Sequence, residues 1–121
     1  MVRITNMPEV QKPWGGERLV AHTGRYALKD IFLRAGTRSS LQSHARKLET
    51  ILVLEGELEL EVWDAEDRPL RERYRSGEAY TIEPGTRHRV AAITDVRVVE
   101  ASSPELDDVI RHADDFGRAG A

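Results

Sequence analysis

The run ELELEVW at residues 57–63 alternates without a break, with Leu58, Leu60 and Val62 on one parity and Glu57, Glu59 and Glu61 on the other. Successive side chains of an extended chain point to opposite faces, so this pattern predicts a half-buried antiparallel β-strand. A strand with one apolar face must be paired and covered, which commits its neighbours to the same architecture. Other short runs fit: YALKDIFL at 26–33, LQSH at 41–44, ETILVLEG at 49–56, LRERYR at 70–75 and DVRVVEAS at 95–102. Two more flank the Pro84-Gly85 turn inside SGEAYTIEPGTRHRVAAIT. Turn-forming stretches such as RAGTRSS and DAEDRP separate them, and short strands at this spacing predict an all-β sandwich or barrel.

The ends read differently. In residues 1–25 the segment KPWGGERLV carries Pro13, Gly15 and Gly16, which break a helix and predict an extended arm leading into a strand. Over 103–121, Ser103 is placed as an N-cap, Pro104 as the first helical residue, and Leu106, Val109 and Ile110 fall at helical spacing, predicting a short C-terminal helix. A chain of 121 residues suits one core, so residues 1–121 are read as a single domain. Both parities of ETILVLEG are apolar, Ile51 with Val53 and Leu52 with Leu54, which predicts cover on both sides and therefore a homodimer.

Charge narrows the partners. With 18 basic and 21 acidic side chains mixed along the chain and no basic block, a nucleic-acid partner is not expected. No apolar run approaches the ~20 residues of a membrane helix, and the N-terminus has no signal-like apolar stretch. The expectation is a cytoplasmic protein without a membrane partner. Cysteine is absent, so a metal site would draw on histidine, carboxylate or amide ligands.

Such ligands cluster in the stretch SLQSHARKLETILVLEG. Gln42 and His44 are two apart and leave a strand on one face, and Glu49 follows across a short turn if the next strand pairs back on the first. Burying an amide, an imidazole and a carboxylate together is costly unless something pairs with all three. His88, after the Pro-Gly turn, completes a set of four donors for a divalent ion. Singly, each has a plainer reading: His44 as a hydrogen-bonded histidine, Glu49 as a rim ion pair with Lys47. Trp14 and Trp63 read as plugs on the sheet, and His22 and His112 as surface residues.

The order of these residues resembles the cupin superfamily. Gly36, Gln42, His44, Glu49 and Gly56 are similar to its first motif, with glutamine in place of the first histidine, and GEAYTIEPGTRH at 77–88 resembles its second, ending on His88. The resemblance implies a double-stranded β-helix, the cupin jelly-roll barrel, with Gln42, His44, Glu49 and His88 as metal ligands. Within cupins, SLQ-x-H, KPWG, Lys29 ahead of IFLRAG and the closing DDVIRHADDFGR look like the type II mannose-6-phosphate isomerase branch. Thr50 and Ile51 depart from the His-Trp common in that branch.

That likeness implies aldose-ketose isomerisation of a phosphorylated sugar. The bound ion would be zinc first, with manganese, iron, nickel or cobalt open. Lys29 would share proton transfer or hold an oxyanion, Arg46 would clamp phosphate, and Arg118 would reach the pocket mouth to bind substrate. Two alternatives stand beside it: a metal-dependent dioxygenase, lyase or epimerase acting on a small molecule, and a non-catalytic cupin that binds sugar or metal.

Overall fold

The computed structural model describes residues 1–118, and among them it shows eleven strands and no helix. In chain order these are β1 (Glu9–Lys12), β2 (Gly15–His22), β3 (Ala27–Leu33), β4 (Leu41–Ser43), β5 (Glu49–Glu55), β6 (Glu57–Trp63), β7 (Pro69–Arg75), β8 (Ala79–Ile82), β9 (Arg87–Ala92), β10 (Val96–Ser102) and β11 (Ile110–Ala113). One sheet runs β1-β2-β3-β10-β5-β8 and the other β11-β4-β9-β6-β7, with every pairing antiparallel. This is the expected all-β jelly roll.

The inward parity of several strands changes character along its length. On β3 it reads Lys29, Ile31, Leu33; on β5, Glu49, Ile51, Val53; on β9, His88, Val90, Ala92; and on β10, Glu100, Val98, Val96. Register aligns these gradients, since Glu100 lies opposite both Lys29 and Ile51, and Leu58 opposite Ala92. One end of the barrel is therefore an apolar plug in which Val53, Leu58 and Val96 are at most 1% exposed. Burying each such side chain contributes roughly 1.5–3 kcal/mol. The polar ends meet at the other end, where the plug gives the site a rigid floor.

Local chemistry fixes the corners. Gly56 closes the turn between β5 and β6 at a φ of +87°, and a Cβ there would lie 2.1 Å from the Asp95 carbonyl oxygen, so the turn requires glycine. Along the outer face of β6, Glu57, Glu59 and Glu61 meet Arg71, Arg73 and Arg75 of β7, the shortest pair being Arg71 to Glu61 at 2.9 Å.

Three expectations are corrected. The N-terminal arm is already a hairpin, with Lys12 opposite Gly15 and Pro13-Trp14 at its tip. β4 and β5 do not pair; they belong to opposite sheets, and residues 44–48 cross between them. Over the described residues of the tail, 103–118, no helix forms, and 119–121 lie outside them: Ser103 spends its hydroxyl on the Leu48 N–H instead of capping, Asp108 spends its carboxylate on residues 45–47, and residues 110–113 pair with β4. Helical spacing of three apolar residues does not prevail against those partners.

Candidate metal centre

His44 sits just past β4, Glu49 opens β5, and His88 lies on β9 opposite Gln42. The two sheets face each other, and this brings the four together without a hairpin. His44 donates from Nδ1 to the Asp108 carbonyl at 2.6 Å, and His88 donates from Nδ1 to the Thr86 carbonyl at 2.9 Å. A carbonyl only accepts, so in each neutral ring Nε2 is the free lone pair. These nitrogens lie 3.6 Å (His44) and 3.2 Å (His88) from Glu49 Oε1.

Lone pairs opposed at such distances need a proton or a cation between them. All three residues are only 3% exposed, the three donor atoms lie within 4.8 Å of one another, and His44 Nε2 is buried without a hydrogen-bond partner. An orphaned buried nitrogen is costly in a folded protein, and a divalent ion removes that cost. Two imidazoles and a carboxylate suit zinc, manganese or iron, so the residues present fit the ion the fold implies. Gln42 faces the same cavity; its Oε1 accepts from the Ser40 hydroxyl at 2.9 Å and keeps a second lone pair.

A second layer holds these groups. Glu49 Oε2 lies 3.1 Å from the Lys47 ammonium, which also reaches Glu100 at 3.7 Å. Lys47 is buried, so the pair anticipated at the rim lies in the interior. Burial opposes the charge on Glu49, yet the His44 and His88 rings that face it and the Lys47 charge outweigh it and hold its carboxyl well below the usual carboxylate range. Burial, and then a hydrogen bond shared with Glu49, push Glu100 up to about 8. The Asp108 carboxylate accepts from the backbone N–H groups of Ala45, Arg46 and Lys47 at 3.0, 2.6 and 2.9 Å. Gly85 N–H donates to the His44 carbonyl at 2.7 Å, tying the Pro-Gly turn before His88 to the loop that carries His44.

These residues line a cavity of about 170 Å³. Lys29 lines it too, paired with Glu17 at 3.1 Å, while Asp30 faces outward to Arg18 and Arg97. Arg118 reaches the cavity with its guanidinium on the Asp114 carboxylate at 2.7 and 3.3 Å. Arg46, expected as a phosphate clamp, has an exposed side chain outside the cavity lining, and the loop uses its backbone N–H. Trp14 packs on the core and lines the cavity, whereas Trp63, His22 and His112 stay outside it.

Lys47, Glu100 and Arg111 belong to the lining and were not among the predicted site residues. Glu100 had a signal: in DVRVVEAS it shares the parity of Val96 and Val98, the apolar face. Arg111 lies within DDVIRHADDFGR, where only Arg118 was given a role, because the segment around Arg111 reads as helical.

Comparison with known proteins places this geometry. The Cupin domain family matches residues 31–102, which include Gln42, His44, Glu49, His88 and Glu100. The chain belongs to the cupin family. It is 30% identical over 105 residues to an L-ectoine synthase of Shouchella clausii (strain KSM-K16), covering 84% of this chain and 75% of that protein. In structure it is similar to KdgF from Halomonas sp., at a TM-score of 0.71 and 23% identity over 85% of this chain and 91% of that one. Oxalate decarboxylase from Bacillus subtilis matches at 0.79 and 14% identity over 89% of this chain and 30% of that one. The capsular polysaccharide assembling protein CapF from Staphylococcus aureus matches at 0.76 and 16% identity, over 88% and 34%. The chain thus spans about a third of the last two. The B. subtilis decarboxylase is described with Mn(II) centres.

Proposed function

We propose that this chain is a metal-dependent cupin enzyme that moves a proton next to an acid group of a small anionic molecule, in a lyase or epimerase type of reaction. The observation that carries the reading is the meeting of His44 Nε2, Glu49 Oε1 and His88 Nε2 in one buried pocket, with both Nδ1 atoms already committed to backbone carbonyls. Those three, with Gln42 Oε1, would hold a divalent ion, manganese or zinc. When bound, the ion supplies a Lewis acid that favours negative charge on a ligand oxygen.

The chain's own residues supply the rest. Lys12, Lys29, Lys47, Arg111 and Arg118 line the cavity, against the carboxyls of Glu17, Glu49 and Glu100. Cations outnumber acids even before a metal is added, which favours an anionic substrate. Lys29 places an ammonium in the wall to stabilise an oxyanion or pass a proton. Lys47 and Glu100 hold Glu49 in its ligating orientation. The apolar plug below excludes water from one side.

A sugar-phosphate isomerase remains the second reading, favoured by Lys29 in the cavity. It is weakened because Arg46, the phosphate clamp it relied on, faces solvent. The relatives also lean away from it: one is a synthase, and another acts, by its name, on oxalate, a small dicarboxylate.

The test is a substrate panel of hydroxy acids, amino acids and aldose and ketose phosphates, run on metal-replete protein with and without chelator. Chelator-sensitive turnover of an acid is expected. Turnover confined to the sugar phosphates would restore the isomerase, and metal binding without any turnover would make the protein a binder.

A further inference from the structure

We infer that Arg111 anchors an oxyanion group of the substrate, a carboxylate or a phosphate monoester, on the cavity wall two strands from His88. The inference rests on reading the cavity as a substrate site, and adds where the charged end of the substrate goes.

Four of the five cavity cations have acidic partners. Lys12 and Lys29 share Glu17 at 3.9 and 3.1 Å, Lys47 is 3.1 Å from Glu49, and Arg118 is 2.7 Å from Asp114. Arg111 makes no ion pair among the described residues, and its Nε is buried there without a hydrogen-bond partner. An unmatched buried donor is costly, and a guanidinium cannot escape the cost by losing its proton. An incoming oxyanion meets that need, and the planar fork takes a carboxylate or phosphate through two parallel hydrogen bonds.

Position agrees with chemistry. Arg111 on β11 lies opposite Gln42 on β4, and Gln42 lies opposite His88 on β9. All three line the cavity, so they form a row across neighbouring strands of one sheet. With strands spaced ~4.8 Å apart, the Arg111 and His88 backbones are separated by roughly 10 Å. A short molecule whose acid end sits on Arg111 would bring its reacting end to the Gln42, His44, Glu49 and His88 cluster. This placement exists only because residues 110–113 are extended. On β11, Arg111 turns inward while Ile110 and His112 are exposed.

The experiment uses metal-loaded full chain: the Mn(II) form is titrated by calorimetry with malonate and separately with inorganic phosphate, and the diamagnetic Zn(II) form, ¹⁵N-labelled, gives the arginine Nε–H spectrum with the same probes. At least one probe is expected to bind and to shift the Arg111 Nε–H signal. Arg111→Met should weaken that binding at least about tenfold, and Arg111→Lys less, because a lysine keeps the charge and loses the fork. Mn(II) affinity should stay within about twofold in both variants, since Arg111 is not a proposed ligand. Binding of malonate alone assigns a carboxylate; binding of phosphate alone assigns a phosphate ester. The inference falls, with the metal centre intact, if Arg111→Met binds the probes like wild type, or if neither probe binds wild type and the Arg111 signal stays still. The spectrum decides the matter on unmutated protein if a variant fails to fold. If Mn(II) itself does not bind, the proposed function falls and takes this inference with it.

Discussion

The Glu49 and Glu100 carboxyls both lie in the cavity wall, with the Lys47 ammonium 3.1 Å from one and 3.7 Å from the other. Two buried carboxyls this close cannot both ionise freely, and the pair resolves by keeping Glu49 charged and Glu100 protonated. An unfolded glutamate ionises near 4.5, whereas folded Glu100 keeps its proton up to about 8. Between those values the unfolded chain binds fewer protons, so this group makes stability fall as pH rises, levelling off above about 8. Glu49 is ionised in both states over the upper part of that window and adds no slope there. Metal-free protein should therefore melt at a lower temperature at pH 8 than at pH 6, and Glu100→Gln should flatten the difference. An unchanged pH dependence in Glu100→Gln would show that the pair does not hold this proton. At this scale residue type and spacing pointed to Gln42, His44, Glu49 and His88, and the structure brings these four to one cavity. Arg46, named from the family likeness, lies outside that cavity because its loop turns the side chain to solvent, which no local pattern in the sequence encodes.

The element that most determines the site is the segment from Ser103 to β11, which contributes no predicted metal ligand. Its Ser103 hydroxyl takes the Leu48 N–H, its Asp108 carboxylate takes three successive N–H groups, and its Asp108 carbonyl orients His44. Asp108→Ala keeps the carbonyl and frees the loop. Changes to such outer partners commonly weaken metal binding about 10–100-fold, and a loss in that range is expected by calorimetry, with Asp108→Asn milder because its amide oxygen still accepts. Wild-type affinity in Asp108→Ala would mean the loop is held by other contacts. Period-2 alternation made β6 legible, short runs of strand-forming residues made β3, β5 and β10 legible, and a glycine placed the corner at Gly56. The C-terminal segment was misread because apolar spacing is a local signal, whereas its real partners lie some 55 to 63 positions away in sequence.

For the whole molecule, an all-β sandwich or barrel was legible from the short strands, and the jelly roll from the cupin resemblance, but the division into sheets was not. β4 and β5 looked like a hairpin because they are adjacent in sequence, and only pairing with distant strands assigns them to opposite walls. The outer face of β5 leaves Leu52 and Leu54 about 40% exposed, which is where a second subunit is expected to dock. Light scattering at micromolar concentration should give twice the monomer mass, and Leu52→Glu should return it to the monomer; a monomeric wild type would contradict the dimer. Whether side chains from both sheets close on a cation is read from elemental analysis of the purified protein. About one manganese or zinc per chain is expected, lost in His88→Ala and in Glu49→Gln and kept in Arg46→Ala. Protein that is purified empty and stays empty with added Mn(II) and Zn(II), or His88→Ala with full occupancy, would contradict it.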